Sequence, residues 1–212
     1  METELGRTLA RVTRRRFLQI GGAASMGVVL TACIGGGDSK AAKDTTGGAK
    51  GRRADIRIMR TLSSLEAVAV VVYTMGIDSG VLITPAVADL AKEFRAHHQE
   101  HAALFQGTTK DLRGTPFDEP NRTVLERLQP ELGGLRDETG VVSLALDVET
   151  ILAETYQGTV GAFGDKSFSV AAMSVGGAEA RHAAALARIL GRPGAPTAFQ
   201  GIQRAVQPGT GV

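Results

Sequence analysis

Two short runs decide the fold of this chain, His98-Gln99-Glu100-His101 and Glu179-Ala180-Arg181-His182. Each sets two donor-bearing side chains three residues apart, and on a helix residues at that spacing share one face. Each run also has a glutamate upstream, Glu66 at 32 residues before His98 and Glu149 at 30 residues before Glu179. Each of those glutamates is followed seven residues later by a tyrosine, Tyr73 or Tyr156. The chain therefore carries one polar pattern twice, and all four of its histidines, His97, His98, His101 and His182, fall inside it.

Working outward, the pattern lies on four long helical segments bounded by breakers. The first is expected over about Asp55 to Thr74, stopping at Gly76 and Asp78-Ser79-Gly80. A second starts at Thr84-Pro85, an N-cap with proline at the first helical position, and runs to about Gly107. The third is expected over Val141 to Phe163, and the fourth from Asp165, an N-cap, to Gly191 with Pro193 beyond. Short loops join the first pair and the last pair. About thirty residues, Arg113 to Gly140, separate the pairs, with Pro116, Pro120, Pro130 and one short helical stretch near Val124 to Leu128. The fold class is all-α: two antiparallel hairpins joined by one long crossover, the ferritin-like connectivity of four-helix bundles.

Helical geometry makes the polar pattern costly unless it binds something. Leu62, Glu66, Ala69 and Tyr73 form one stripe of the first helix, among the wholly apolar Ala67 to Val72. The second helix offers Leu90, Phe94, His98, His101 and Phe105; the third Leu146, Glu149, Leu152 or Ala153, Tyr156 and Phe163; the fourth Val175, Glu179, His182, Leu186 and Ile189. Three facing carboxylates in a core cost several kcal/mol each if unpaired, and divalent cations remove that cost. One Glu from each of two helices, with Glu-x-x-His from each of the other two, is the di-iron carboxylate arrangement of helical bundles.

With these residues in view, the chain resembles the ferritin-like superfamily that includes rubrerythrins and bacterioferritins, and more narrowly a group of exported ferritin-like domains. The resemblance covers about Asp55 to Phe199 and is most specific at Ala180-Arg181-His182-Ala183-Ala184. It implies that Glu66, His101, Glu149, Glu179 and His182 ligate metal, with His98 at the remaining place, where the family carries glutamate. It implies two ions, iron first, with manganese or zinc as alternatives. Three carboxylates leave two divalent ions with a net charge of +1, which opposes oxidation of iron to the ferric state. Tyr73 and Tyr156 read as redox-active groups, as hydrogen-bond donors to the ligand carboxylates, or as ordinary core aromatics. His97 is expected behind the ligands or at solvent, Glu93 and Glu100 on the outer face, and Glu154 at the surface or as a substitute ligand. Gly176-Gly177 is a place for close packing or a bend.

The N-terminal residues have a different grammar. Thr13-Arg14-Arg15-Arg16-Phe17-Leu18-Gln19 resembles a twin-arginine export signal, with Arg14 and Arg15 as its pair, and the apolar stretch from Leu18 ends in Leu30-Thr31-Ala32-Cys33, which resembles a lipobox. The competing reading is a signal-anchor helix that happens to end in cysteine. Cys33 is the only cysteine, so disulfides within the chain and cysteine-based metal clusters are excluded. The expected organisation is a signal peptide over 1–32, a Gly-rich tether over 33–53, the bundle over 54–200 and a C-terminal tail over 201–212. Without 1–32 the formal net charge falls from +2 to −1, which gives no basis for nucleic-acid binding.

The expected protein is therefore extracytoplasmic and lipid-anchored to the cell membrane through Cys33, after export by the twin-arginine translocase. Its expected activity is di-metal chemistry of ferroxidase or peroxidase type, with dioxygen or peroxide, and an external electron donor. The alternative is a non-enzymatic role in metal sequestration or as a cell-envelope interaction module. A homodimer is left open, whereas a closed storage shell conflicts with a lipid-tethered N-terminus.

Overall fold

The apolar stripes close on one another as an all-helical bundle. The computed structural model describes residues 45–212, and among them there are five helices and no strand. They are α1 (Thr45–Asp78), α2 (Pro85–Asp111), α3 (Arg122–Gly133), α4 (Glu138–Thr159) and α5 (Lys166–Ile189). Arg14, Arg15 and Cys33, the leader and the first part of the expected tether lie outside the described residues.

Helices α1 and α2 pair as one hairpin and α4 and α5 as the other, and α1 packs along α4. The two are antiparallel: Gly76 near the end of α1 lies against Val141 at the start of α4. At the opposite end, Asp55 accepts hydrogen bonds from the backbone N–H of Gly164, at 2.6 Å, and of Asp165, at 3.2 Å. The crossover travels the length of α1 to make this possible. It leaves α2 with Gly114 against the Ile56 side chain, then passes Ser63, whose hydroxyl donates to the Phe117 carbonyl at 2.8 Å. Asn121 N–H donates to the Ser64 carbonyl at 2.9 Å, and beyond α3 the Glu138 carboxylate accepts from Thr84 N–H at 2.8 Å. Helix α1 is thus covered by the bundle on one side and the crossover on the other, which accounts for its unusually apolar sequence. Ile58, Met59, Leu62, Leu65, Val68 and Val72 are all buried.

Several boundaries differ from expectation for identifiable reasons. Helix α1 begins at Thr45, so the second part of the tether, Gly47-Gly48-Ala49-Lys50-Gly51 included, is helical. Gly51 lies against Gly164, where a Cβ on Gly164 would stand 2.9 Å from the Gly51 Cα, and packing there overrides poor intrinsic propensity. Helix α3 extends past the expected Leu128 to Gly133 with Pro130 inside it, because Leu128 and Leu132, four apart, are both buried. Helix α4 starts three residues early, where the Asp137 carboxylate caps Gly140 N–H at 2.8 Å, and ends at Thr159 rather than Phe163. Asp165 caps α5 as expected, through Ser167 N–H at 2.9 Å, but the Thr84 hydroxyl makes no capping bond to α2. Ile189, placed in the apolar stripe by its spacing, is exposed at the last turn of α5.

The C-terminal residues 201–212 lie along the helices. Arg204 N–H donates to the Glu154 carboxylate at 2.5 Å, Val206 N–H to the Thr155 hydroxyl at 3.0 Å, and Gly209 N–H to the Thr61 hydroxyl at 2.8 Å. The Asn121 amide donates to the Thr210 carbonyl at 2.7 Å while its oxygen caps α3. Glu154 is therefore neither a surface residue nor a substitute ligand: it is buried, and its carboxylate anchors the chain end.

The glycine pair in α5 resolves into two different sites. A Cβ on Gly176 would stand 2.7 Å from the Tyr156 Cβ, whereas one on Gly177 would meet only the Arg181 guanidinium, at 3.8 Å. Gly176→Ala should destabilise the bundle by about 1–3 kcal/mol through overpacking. Gly177→Ala should instead add about 0.5–1 kcal/mol from helix propensity. Chemical denaturation of the two variants beside the parent checks this, and equal effects would contradict the packing described.

Candidate metal centre

Four helices each turn their polar residues inward at the same level. Glu66 on α1, His98 on α2, Glu149 on α4 and Glu179 on α5 are each 0 % exposed, with His101 at 7 % and His182 at 4 %. All six expected site residues come together, and the sequence reading missed no member of the cluster. Their donor atoms form two overlapping groups, Glu66, His98, His101 and Glu179, and His98, Glu149, Glu179 and His182, and within each the atoms lie within 4.8 Å of one another.

The spacing inside each group is informative. In the first, His98 Nδ1 is 2.7 Å from Glu66 Oε2, and His101 Nδ1 is 3.5 Å from that oxygen and 2.8 Å from Glu179 Oε1. In the second, His98 Nε2 is 3.0 Å from Glu149 Oε1, and His182 Nδ1 is 3.4 Å from both Glu149 Oε2 and Glu179 Oε2. Donors bound about 2.0–2.2 Å from one cation at octahedral or tetrahedral angles stand about 3.0–3.4 Å apart. The observed separations scatter around that range.

The unpaired atoms tell the same story. His101 Nδ1, His182 Nδ1, Glu149 Oε2 and both oxygens of Glu179 are buried without a hydrogen-bond partner. His101 Nδ1 is close enough to Glu179 Oε1 for a hydrogen bond, yet the two are not aligned for one. These atoms point at shared space between them. Buried polar atoms are satisfied in stable proteins, so five orphans in one place match a site whose partners are cations. The donor set, carboxylates and imidazoles in overlapping groups, suits first-row divalent cations.

Around the donors, the two tyrosines cross between hairpins. Tyr73 OH donates to Glu149 Oε1 at 2.5 Å and Tyr156 OH donates to Glu66 Oε1. Burial and the facing carboxylates push both phenols well above their ordinary range, so they stay protonated and act as donors. Of the readings open from sequence, the hydrogen-bonding role is the one the geometry displays. The Phe94 ring stacks on His182 with centroids 3.9 Å apart. His97 is half-buried, and its Nδ1 lies 3.1 Å from His182 Nε2, so it stands behind His182 on the solvent side. Glu93 and Glu100 are exposed, as their positions imply.

Charge in the site is strongly polarised. Burial raises Glu66, but the neighbouring imidazoles of His101 and His98 outweigh it and hold this carboxyl down to about 2. Glu149 is also held well below the usual range, burial being overcome by His98 and His182. Burial and the charges of Glu66 and Glu149 push Glu179 up to about 7. Burial opposes charge on His101, yet Glu179 and Glu66 raise it to about 9, and His98 and His182 are raised by their carboxylate neighbours against the same opposition. His97 moves the other way, lowered by burial and by His182.

Residues 54–192, more than half of the chain, match the model of a family described as ferritin-like domain. No curated protein and no solved structure gives a significant match.

The titration pattern fixes how the metal-free protein responds to pH. Folded Glu179 and His101 hold protons up to about 7 and about 9, above the 4.5 and 6.5 of the unfolded chain. Raised groups contribute stability that is complete below the unfolded value and lost as pH climbs through the folded one. The melting temperature in chelator should therefore fall from about pH 6 to pH 9, opposed by His97 and, at the acid end, by the depressed Glu66 and Glu149. Zinc must displace those protons, so the stabilisation it adds should grow over the same interval. Thermal melts with chelator and with zinc check both slopes, and a metal-free stability that rises with pH would contradict the site's electrostatics.

Proposed function

Because the chain belongs to the ferritin-like domain family, we propose that it is an exported, membrane-anchored metal protein whose two bound ions, iron foremost, react with dioxygen or peroxide. The observation that carries this reading is the set of five unpaired buried donor atoms shared between two overlapping groups of ligands. Bound ions would supply Lewis acidity and electrons to an oxidant. The residues supply the rest. Glu66, His101, Glu149, Glu179 and His182, with His98, would hold the ions. The protonated phenols of Tyr73 and Tyr156 fix one oxygen of Glu149 and of Glu66, which leaves the other oxygen of each turned inward. His97 holds the outer nitrogen of His182, and Phe94 covers the ring face, so the His182 nitrogen aimed at the centre is Nδ1.

Arg14-Arg15 and Cys33 support export in the folded state followed by lipid attachment, which allows metal to be loaded before the domain leaves the cytoplasm. No cysteine other than Cys33 is present to hold an electron-transfer centre, so turnover draws on an external donor. A second reading, sequestration without turnover, is favoured by one observation: four of the six donors are fully shut off from solvent.

Elemental analysis of the protein purified without chelator tests the proposal. The parent should hold two ions per chain, and Glu66→Ala and His182→Ala should each lose at least one. Mutants that hold as much metal as the parent would overturn the site. Rapid oxygen consumption with ferrous iron supports the oxidative reading, while tight zinc and no oxygen uptake supports sequestration.

A further inference from the structure

His98 sits where the two ligand groups meet. Only His98 and Glu179 belong to both groups, and they meet the two sides differently. The His98 ring presents Nδ1 to the group of Glu66 and His101, at 2.7 Å from Glu66 Oε2, and Nε2 to the group of Glu149 and His182, at 3.0 Å from Glu149 Oε1. Glu179 turns Oε1 to His101, at 2.8 Å, and Oε2 to His182, at 3.4 Å, and Oε2 lies 3.7 Å from His98 Nδ1 as well.

We infer that His98 bridges the two ions through both ring nitrogens, so that the metal pair is joined by one imidazolate and one carboxylate, Glu179. This rests on the metal reading above. One ion lies among Glu66, His101, Glu179 and His98 Nδ1, the other among Glu149, His182, Glu179 and His98 Nε2. As the second metal–nitrogen bond forms, the ring gives up its remaining N–H proton to water. Two divalent ions then face three carboxylates and one imidazolate, and the charge of the centre is zero, where a neutral imidazole would leave it at +1.

The competing arrangement is a ring that merely donates hydrogen bonds to Glu66 and Glu149. That accounts for two contacts and no more. It leaves His101 Nδ1, His182 Nδ1, Glu149 Oε2 and both Glu179 oxygens unpaired, divided between the two sides of the ring. A cation in each group would serve these five atoms, and on each His98 nitrogen it would replace the proton that the ring shares with Glu66 or Glu149. The ring is also held in place for this role: Tyr73 stacks on it at 5.3 Å, and the residue is completely buried.

The bridge sets the distance between the ions. Two metal–nitrogen bonds of about 2.0–2.1 Å on opposite sides of one ring place the ions about 6 Å apart. Two-metal sites with no ring spanning the ions hold them about 3.5–4 Å apart. A crystal structure of the zinc-loaded protein with anomalous data at the zinc edge should show two peaks about 6 Å apart, one bonded to each His98 nitrogen. In solution, copper(II) should bind at two per chain, and at low temperature the resonance signal at two equivalents should fall below half of that expected for isolated ions. His98→Glu should keep two ions and bring them to about 3.5–4 Å. His98→Ala, checked for folding by circular dichroism, should lose at least one ion. Two ions at the short separation in the parent, or His98 bonded through one nitrogen, overturns the bridge and leaves the metal reading standing. A single bound ion also overturns the bridge, and no ion at all overturns both.

Discussion

The bundle is organised around one electrostatic constraint: three carboxylates and three imidazoles occupy its centre, out of reach of water. Left to themselves, buried charges of this kind cost several kcal/mol each unless paired and hydrogen-bonded. Every other feature of the core is arranged to keep them at one level and in one orientation. Apolar residues fill the stripes above and below, from Leu62 and Leu65 to Leu152 and Leu186, and exclude the solvent that would otherwise screen them. Gly176 gives up its side chain so that α5 can approach Tyr156, and through it the Glu66 oxygen that Tyr156 holds. The C-terminal segment, tied to Glu154, Thr155 and Thr61, fastens α4 to α1 from outside.

The same constraint explains why the two hairpins need a long crossover. In each hairpin the tyrosine follows its glutamate by seven residues, about two helical turns. If α1 and α4 ran parallel, glutamate would sit beside glutamate and tyrosine beside tyrosine. Because they run antiparallel, each tyrosine reaches the glutamate of the other helix, and both phenols find an acceptor. Antiparallel α1 and α4 require the chain to return along the whole bundle between α2 and α4, and the segment through Ser63, Ser64 and Asn121 does that. The doubled pattern of glutamate and tyrosine thus encodes the topology as well as the site.

How much of this was legible in the sequence follows from which forces are local. The four inward stripes were legible because spacings of three and four put Glu66, His98, His101, Glu149, Glu179 and His182 among apolar residues, and no solvated helix has that pattern. The N-terminal extension of α1 was not, because Gly47, Gly48 and Gly51 argue against helix, and the partner that makes it worthwhile, Gly164, is more than a hundred residues away. Glu154 was misjudged for a similar reason. Its partner is a backbone N–H at Arg204, in a segment whose composition carries no periodic signal. The length of α3 depended on Leu132 finding a place in the core, which a proline two residues earlier seemed on local grounds to forbid. His97 was placed correctly only within a choice, and the choice was settled by the direction of the His182 ring.

The histidine at position 98 changes the balance between the metal-free and loaded states. A fourth carboxylate there would add a like charge between Glu66 and Glu149, which together with burial already raise Glu179 to about 7. Imidazole at this point does the reverse: it stands between those two carboxylates and helps hold both below their ordinary range. The metal-free bundle is correspondingly less repulsive at its centre than one with four buried acids would be, and its folding leans less on the cations. With cations bound, the same ring would be neutral or anionic according to whether it ligates through one nitrogen or two, and that choice would fix the net charge of the buried site. One imidazole in the core therefore eases the state without metal and would make a loaded state depend on how that ring is used.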